Sequence, residues 1–268
     1  MGVDLSQQIV EQLRRTRKYR FVCDATLHRM ADWALGRHVK TKPALKAAKR
    51  KLHQVYGAYL EQVNLDRVEA LVQTIGPAIS EAELRLVCEE ILACHVSTAE
   101  RLSLMADFYA DLFAEIGRPR KIVDLACGLH PFAFPFMGLD VQTVYYACDI
   151  DLRLVACLSD FFRRIGQPAE IKARDLLVDA PDWDADVVFL LKALPCLEQQ
   201  EKQLGRILLD RLQSEVIVVS FPARSLGGYE KGMEEHYETV MGRIAEDLGA
   251  PIRKMSFSDE LFYLLKKN

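Results

Sequence analysis

The chain contains no Cys-x-x-Cys pair, and its seven cysteines are scattered between Cys23 and Cys196. This odd, dispersed set argues against a structural zinc site and a disulfide framework, and it predicts reduced thiols inside a cell. The chain also lacks an apolar run of about 18 residues, which a membrane-spanning helix needs. Residues 1–10 contain no signal-peptide core. We therefore expect a soluble, cytoplasmic protein without a metal site.

The net charge of −3 hides an uneven distribution along the chain. Residues 1–60 contain 13 lysines and arginines against 4 acidic residues, whereas residues 61–268 contain 22 against 34. A basic block joined to an acidic remainder predicts a module that binds a polyanion. The alternative explanation is a solubilising helical surface. The length of 268 residues allows one large domain, or a medium domain with a small one.

Helical periodicity dominates residues 1–118, including a long helix predicted over residues 45–59. Asn64 is the expected N-cap of a helix that ends near residue 75. Ser80 is followed by glutamate three positions later, which predicts a capping box at a helix start. Ser97 is also followed by glutamate after three positions, and it predicts a long helix to about residue 116.

From residue 120 the pattern changes to alternating strands and helices, which predicts a parallel sheet. The last two strands are separated by only three residues, 258–260, so they should pair as an antiparallel hairpin. Five parallel strands closed by such a hairpin predict an α/β fold with the seven-stranded Rossmann-like sheet of class I methyltransferases, preceded by an all-helical domain. The predicted strands lie near residues 121–124, 143–149, 169–173, 186–191, 215–220, 252–257 and 261–265.

The most informative segment is residues 121–132, in which a strand ends at Asp124 and a loop of small residues with Gly128 follows. Small residues let backbone N–H groups approach a ligand closely. The loop is not Gly-x-Gly-x-x-Gly, which argues against a pyrophosphate ligand. It suits S-adenosylmethionine, whose ammonium group Asp124 can orient. The alternative is an ordinary connection between a strand and a helix.

Two further acidic residues stand at successive strand ends. Asp149 ends the second strand, 25 positions after Asp124, and an acidic residue about 20 positions past such a loop commonly binds a ribose hydroxyl. Asp175 follows the third strand and can accept from an adenine amino group, while Leu176 covers the ring. Because open α/β sheets bind ligands at the carboxyl ends of their strands, the three acids predict a single cofactor site.

Seven segments, in the same order, resemble the Arm/Rmt (Kgm-type) aminoglycoside-resistance 16S rRNA methyltransferases. The resemblance implies methyl transfer from S-adenosylmethionine to N7 of guanine 1405 on the 30S subunit, leaving S-adenosylhomocysteine, with resistance to 4,6-disubstituted deoxystreptamine aminoglycosides. His130 departs from the family pattern, where asparagine is expected. The matching segments are Lys18–Arg20, Lys51–Tyr59, His95–Leu102, Asp124–Leu129, Lys192–Glu198, Ser220–Gly228 and Leu261–Lys267.

Two other classes of function remain open at this point. One is a methyltransferase that acts on another RNA site or on a small molecule, with the helical half as a lid. The other is a non-enzymatic module that binds an adenosine ligand or RNA. The excess of basic residues in 1–60 disfavours a lid, and the acids at the strand ends disfavour a non-enzymatic module.

The resemblance also implies roles for single residues of the cofactor site. Arg101 should meet the methionine carboxylate, which a guanidinium can bind through two hydrogen bonds. Leu191 and Lys192 should lie near the reactive methyl group, and a structural role explains Lys192 equally well. The complete predicted cofactor site is His95, Ser97, Thr98, Arg101, Asp124, Ala126, Gly128, Asp149, Ile150, Asp175, Leu176 and Leu191.

The same resemblance divides the chain into a helical rRNA-docking domain, residues 1–75, and a methyltransferase domain, residues 76–268. Residues 220–232 should form the target-base loop, in which Arg224 offers a planar cation to a phosphate or a stacked base. Lys192 and Arg224 would position the reactants without a general base, because guanine N7 has a lone pair and no proton. The protein should act as a monomer, away from membranes. Docking on RNA is assigned to Arg17, Lys18, Arg20, Arg50, Lys51 and His53.

Overall fold

The computed structural model describes residues 4–57, 63–179, 182–201, 203–222, 233–257 and 260–267. The α-helices are α1 (Leu5–Arg14), α2 (Asp24–Leu35), α3 (Thr41–Leu52), α4 (Leu65–Gln73), α5 (Glu81–Leu92), α6 (Val96–Ala99), α7 (Met105–Ile116), α8 (Leu152–Arg164), α9 (Leu194–Glu198), α10 (Leu204–Arg211) and α11 (Met233–Leu248). The strands are β1 (Lys121–Leu125), β2 (Val144–Asp149), β3 (Ala169–Ala173), β4 (Ala185–Leu191), β5 (Ser214–Pro222), β6 (Ile252–Phe257) and β7 (Glu260–Lys266). None of the helices in these ranges is long and apolar enough to cross a membrane.

The seven strands form one sheet in the order β3-β2-β1-β4-β5-β7-β6. Strands β1 to β5 pair in parallel, and β7 runs antiparallel between β5 and β6. The predicted fold class, with five parallel strands and a closing hairpin, is therefore confirmed. Since parallel strands end at the same edge, the segments that follow β1, β2, β3 and β4 meet there.

Both faces of the sheet are buried, because alternate residues of each central strand enter different hydrophobic clusters. On β1, Ile122 packs into the cluster formed with α4, α5, α7 and α8, while Val123 packs into the cluster formed with α10 and α11. On β4, Phe189 and Leu190 divide in the same way. This two-sided burial fixes the register of the strands and hence the positions of the residues at their ends.

Two predicted helix starts are confirmed. The side chain of Asn64 accepts from the backbone N–H of Arg67 at the start of α4. Ser80 Oγ accepts from the backbone N–H of Glu83 at 3.3 Å, and Glu83 Oε2 accepts from the Ser80 N–H at 3.0 Å. This reciprocal pair is the predicted capping box of α5.

The single helix predicted from Ser97 to residue 116 is wrong. His95, not Ser97, caps the short helix α6, a 3₁₀ turn follows at Leu102–Leu104, and α7 begins only at Met105. The Thr98 hydroxyl donates to the backbone oxygen of Leu92 at 2.6 Å, which favours a turn over a continuous helix. The break turns the side chain of Arg101 into the protein.

The long helix predicted over residues 45–59 also ends early. Helix α3 stops at Leu52, and His53–Gly57 forms a π-helical turn. The last two residues of the prediction, Ala58 and Tyr59, lie outside the described residues. Tyr56 lies in this π turn, and its hydroxyl donates to Asp151, just after the end of β2. The π turn therefore brings the chain from α3 to the edge of the sheet.

Helices α1, α2 and α3 share a hydrophobic cluster of their own, with Leu13, Leu27 and Leu52 among its fully buried members. Helix α4 does not belong to this cluster, because its buried residues Val68 and Val72 pack into the core of the sheet. By its apolar packing, the chain therefore changes from the helical cluster to the core of the sheet before residue 65. The predicted domain boundary lies later, at residue 75.

Hydrogen bonds attach the three-helix cluster to the carboxyl edge of the sheet. The backbone N–H of Cys23 donates to the oxygen of Ile150, and that of Leu152 donates to the oxygen of Phe21, both at 2.8 Å. The Tyr56 hydroxyl donates to Asp151 Oδ2 at 2.6 Å. The other oxygen of Asp151 caps α8. One buried carboxylate thus holds both a helix start and the helical cluster.

We predict that Tyr56→Phe lowers the free energy of unfolding by about 1–3 kcal/mol, because it leaves a buried carboxylate oxygen without its phenolic donor. Denaturant titration measures this loss. The matched control is Tyr263→Phe: the Tyr263 hydroxyl is buried without a hydrogen-bond partner among the described residues, so its removal should leave stability unchanged or raise it. Equal losses in both variants would contradict the prediction.

Candidate active site

A cavity of about 600 Å³ lies at the carboxyl edge of the sheet, a volume suited to a small-molecule ligand. Arg29, Val55 and Tyr56 of the helical cluster contribute to its lining. The structure also brings every residue of the predicted cofactor site, together with Lys192, to this one cavity: His95, Ser97, Thr98, Arg101, Asp124, Ala126, Gly128, Asp149, Ile150, Asp175, Leu176 and Leu191.

The loop after β1 turns sharply at the cavity. Ala126 and Gly128 have φ angles of 49° and 51°, in the left-handed region. This conformation costs little for glycine, but it is strained for alanine. The backbone N–H of Gly128 donates to Asp149 Oδ2 at 3.1 Å, which ties the loop to the end of β2.

Asp124 lies fully buried at the end of β1. Its Oδ2 atom is 2.7 Å from Nδ1 of His130 and accepts from the Tyr145 hydroxyl at 2.9 Å. Its Oδ1 atom has no hydrogen-bond partner among the described residues. A buried carboxylate oxygen without a donor is costly, so a cationic group that reached this atom would compensate it.

Asp149 holds the loop with one oxygen and the start of the next segment with the other, since Oδ1 accepts from the Asp151 N–H at 3.0 Å. Burial is the main cause that raises the pKa of Asp149, to about 6, against the opposing effect of these backbone hydrogen bonds. The carboxylate is therefore ionised at neutral pH and loses its charge in mildly acidic solution.

Asp175 is buried and engaged by the helical cluster. Its Oδ2 accepts from Thr26 Oγ1 at 2.7 Å and from Arg29 Nε at 2.9 Å. Its Oδ1 accepts from the backbone N–H of Leu177 at 3.0 Å. Sequence reasoning missed Thr26 and Arg29, because nothing in the local pattern links α2 to a residue near position 175. The contact of Asp175 with adenine remains a prediction.

Arg101 forms a buried ion pair that sequence reasoning also missed. Its Nε and Nη2 atoms donate to the two carboxylate oxygens of Glu260 at 3.0 and 2.8 Å. Burial alone would raise the pKa of Glu260, but the charge and hydrogen bonds of Arg101 hold it below its usual value. The available signal was an acidic residue that opens an otherwise apolar strand. If Arg101 binds the methionine carboxylate as predicted, it can donate only the N–H groups that Glu260 does not already accept.

Lys192 follows β4 with a φ angle of 56°, again in the left-handed region. Its Nζ donates to Glu100 at 2.5 Å and lies 3.4 Å from Glu260. Leu191 precedes it at the end of β4 and faces the cavity lining. The ammonium group of Lys192 therefore pairs with Glu100 at the cavity lining and lies close to Glu260. Its place near the reactive methyl group remains a prediction.

His95 is the N-cap of α6, and its Nδ1 accepts from the backbone N–H of Ser97 at 3.3 Å. Burial, reinforced by the charge of Lys192, lowers the pKa of His95 to about 4. The imidazole is thus neutral at physiological pH. Any contact with a carboxylate of the cofactor would therefore be a hydrogen bond from an imidazole N–H and not an ion pair.

The predicted RNA-binding residues lie on the helical cluster. Lys18 Nζ is 2.9 Å from His53 Nδ1, so the structure brings the segment after α1 to the π turn after α3. Val55 and Tyr56, in the same turn as His53, line the cavity. The basic surface and the cavity are therefore neighbours. The set contains exposed Arg17, Arg20, Arg50 and His53, with Lys18 and Lys51 half-buried.

Most of the predicted target-base loop, residues 220–232, lies outside the described residues, including Arg224 and all positions from 223. Ser220 is fully buried in β5, where its hydroxyl donates to Glu260. Pro222, directly before residues 223–232, and Tyr237, five positions after them in α11, both line the cavity.

The residues around the cavity fit S-adenosylmethionine. The unpartnered Oδ1 of Asp124 supplies an anion for the ammonium group, and the turned backbone at Ala126 and Gly128 leaves space for the ligand. Asp149 provides an ionised acceptor for ribose hydroxyls at neutral pH. Leu176 and Leu191 supply apolar surface.

Comparisons with known proteins agree with this geometry. Residues 15–264 match the family described as ribosomal RNA methyltransferase (FmrO). The chain is 37% identical over 268 residues to the 16S rRNA (guanine(1405)-N(7))-methyltransferase of Micromonospora echinospora, covering 98% of this chain and 97% of the relative. The protein of the same name from Micromonospora rosea is 36% identical over 270 residues, covering 99% and 98%. The crystal structure of 16S rRNA methyltransferase RmtF in complex with S-adenosyl-L-homocysteine superposes with a TM-score of 0.84, at 32% identity and full coverage of both chains.

We predict that the affinity for S-adenosylhomocysteine rises as the pH increases through about 6, because ribose hydroxyls prefer the ionised form of Asp149. Calorimetric titrations between about pH 5 and pH 8 measure this profile. His95, with a pKa of about 4, does not titrate in that window. Asp149→Asn should bind about tenfold more weakly at neutral pH and show no rise near 6. Identical profiles for the two proteins would refute the assignment.

Proposed function

Because the chain belongs to the ribosomal RNA methyltransferase (FmrO) family, we propose that it transfers a methyl group from S-adenosylmethionine to N7 of guanine 1405 in 16S rRNA. The observation that carries the proposal is the match, over nearly the whole chain, to relatives with this named activity. The gathering of the strand-end carboxylates around one cavity supports it. The product would be S-adenosylhomocysteine and a guanine with a fixed positive charge.

The proposed mechanism depends on placement. Bound S-adenosylmethionine supplies a methyl group that its sulfonium already activates. Asp124 Oδ1 would hold the ammonium end, Asp149 would accept from the ribose hydroxyls, and Asp175 and Leu176 would contact the adenine. Guanine N7 offers its lone pair without losing a proton, so the chain needs no general base and contributes in-line alignment. The target base must leave its stack to reach the cavity.

Substrate docking is assigned to the helical cluster and to the segment after β5. The basic residues next to His53 would contact rRNA phosphates and read the shape of the folded 30S subunit. Arg224 would meet the target base or an adjacent phosphate, because Pro222, two positions before it, and Tyr237 of α11 line the cavity. One chain supplies all of these groups, which supports action as a monomer. The proposed substrate, the 30S subunit, is found in the cytoplasm, so the protein should act there.

The direct test is methylation of purified 30S subunits with labelled cofactor, followed by borohydride–aniline cleavage, which cuts the RNA at N7-methylguanine. A cut at guanine 1405 is expected. Arg224→Ala should reduce this methylation without changing the affinity for S-adenosylhomocysteine, since the residue is assigned to the RNA. A labelled product elsewhere in the RNA would overturn the assignment of guanine 1405 but not the assignment as a methyltransferase. Failure to bind the cofactor would overturn both assignments.

Docking is tested by charge reversal at two exposed arginines of the helical cluster. Arg17→Glu with Arg20→Glu should weaken binding to 30S subunits by at least about tenfold and reduce its salt dependence, because fewer counterions are released. The matched control is Arg211→Glu with Arg243→Glu, two exposed arginines on α10 and α11. This control changes the net charge equally and should bind nearly as well as the wild type. Equally weakened 30S binding in both variants would show that net charge alone causes the loss, and it would contradict docking through Arg17 and Arg20.

Expression in a susceptible bacterium should raise resistance to gentamicin and kanamycin. An N7 methyl group adds bulk and positive charge where 4,6-disubstituted deoxystreptamines contact guanine 1405. The 4,5-disubstituted drug neomycin serves as the control and should be little affected. Minimum inhibitory concentrations measure both effects, and an equal rise for all three drugs would contradict the proposed target.

A further inference from the structure

Asp124 is the centre of a buried hydrogen-bond network that comes from three other elements. His130, in the 3₁₀ helix after β1, places Nδ1 2.7 Å from Asp124 Oδ2, and Tyr145 of β2 donates to the same oxygen at 2.9 Å. The Tyr109 hydroxyl of α7 lies 2.8 Å from His130 Nε2. All four side chains are at most 2% exposed.

One arrangement of the hydrogens gives every donor of this network an acceptor. The Asp124 carboxylate accepts from Nδ1–H of His130, and Nε2 of the same ring accepts from the Tyr109 hydroxyl. Burial raises the pKa of both Tyr109 and Tyr145, so both phenols keep their protons. In this arrangement each of the three donors has an acceptor.

The network treats the two oxygens of Asp124 differently. Oδ2 receives two hydrogen bonds from the protein, whereas Oδ1 receives none from the described residues although it is buried at the cavity. We propose that His130 and Tyr145, supported by Tyr109, are positioning residues that reserve Asp124 Oδ1 for the ammonium group of the cofactor. They thereby select ligands with an amino group over adenosine thioethers without one. This inference rests on the proposed cofactor.

Loss of one donor should weaken this selection. With a single remaining bond to Oδ2, the carboxylate can rotate and share the remaining donor between its two oxygens. This rotation makes Oδ1 a poorer partner for an ammonium group, but it does not alter contacts to adenine or ribose.

Three thioether ligands separate these effects by calorimetry. S-adenosylhomocysteine has both the ammonium and the carboxylate, decarboxylated S-adenosylhomocysteine has only the ammonium, and 5′-methylthioadenosine has neither. The ratio of the affinity for the decarboxylated ligand to that for methylthioadenosine reports the aminoalkyl arm, and a change in this ratio between variants that leave the apolar lining intact reports its ammonium contact. A general loss of folding or of cavity shape lowers both affinities and leaves this ratio unchanged.

Tyr145→Phe and His130→Leu should each lower the ratio by about tenfold, while methylthioadenosine binds as it does to the wild type. His130→Asn should restore most of the ratio, because the asparagine side-chain nitrogen can donate from nearly the position of Nδ1. Tyr109→Phe should lower it less, by about threefold, because it acts through His130. The matched control is Tyr146→Phe, the same change at the next position of β2, where the ring packs against Trp183; its ratio should equal that of the wild type.

An unchanged ratio in Tyr145→Phe and His130→Leu overturns the positioning role. Parallel losses for the decarboxylated ligand and methylthioadenosine do the same, because they show a structural effect only. If wild-type protein fails to bind S-adenosylhomocysteine, the proposed function fails together with this inference. Wild-type binding combined with an unchanged ratio removes the inference alone.

Discussion

Burying carboxylates at a single edge of the sheet is the constraint on which this structure depends. Asp124, Asp149 and Asp175 line one cavity, Glu260 is buried next to it beside Arg101 and Lys192, and each of these acids needs compensation for lost hydration. Asp149 receives backbone N–H groups, Asp175 receives a guanidinium from α2, and Glu260 receives one from the break between α6 and α7. Asp124 receives donors from His130 and Tyr145 on one oxygen only. It is thus the one of these four acids whose second oxygen has no hydrogen-bond partner among the described residues.

The same compensation explains why distant parts of the chain pack together. The side chain of Arg29 extends from the helical cluster and pairs with Asp175, and the Tyr56 hydroxyl donates from the same cluster to Asp151. Arg101 can reach Glu260 only because the helix that would otherwise contain it is interrupted. The irregular segments are therefore the parts that deliver charged and polar groups to the cavity, while the regular helices and strands hold their positions.

The sheet and its strand-end residues could be predicted from sequence, because strand periodicity and the edge rule for parallel sheets are local or general. Asp124, Asp149 and Asp175 were found in this way. Arg29 and Glu260 could not be found, because their partners lie 146 and 159 positions away and no short pattern encodes such pairing. The single helix expected from Ser97 is wrong for a related reason. A serine followed by glutamate three positions later often starts a helix, but here the hydrogen bond of Thr98 to Leu92 and the ion pair of Arg101 with Glu260 outweigh local helix propensity.

The attachment of the helical cluster has a consequence for the exchange of parts between related enzymes. Arg29, Val55 and Tyr56 line the cavity from the cluster, so a chimera that takes its first 60 residues from another protein also replaces part of the small-molecule site. The transplantable unit must include the acceptors Asp151 and Asp175 as well as the donors that reach them. Divergence within the helical cluster is therefore tied physically to divergence at the cavity, and the two cannot drift independently.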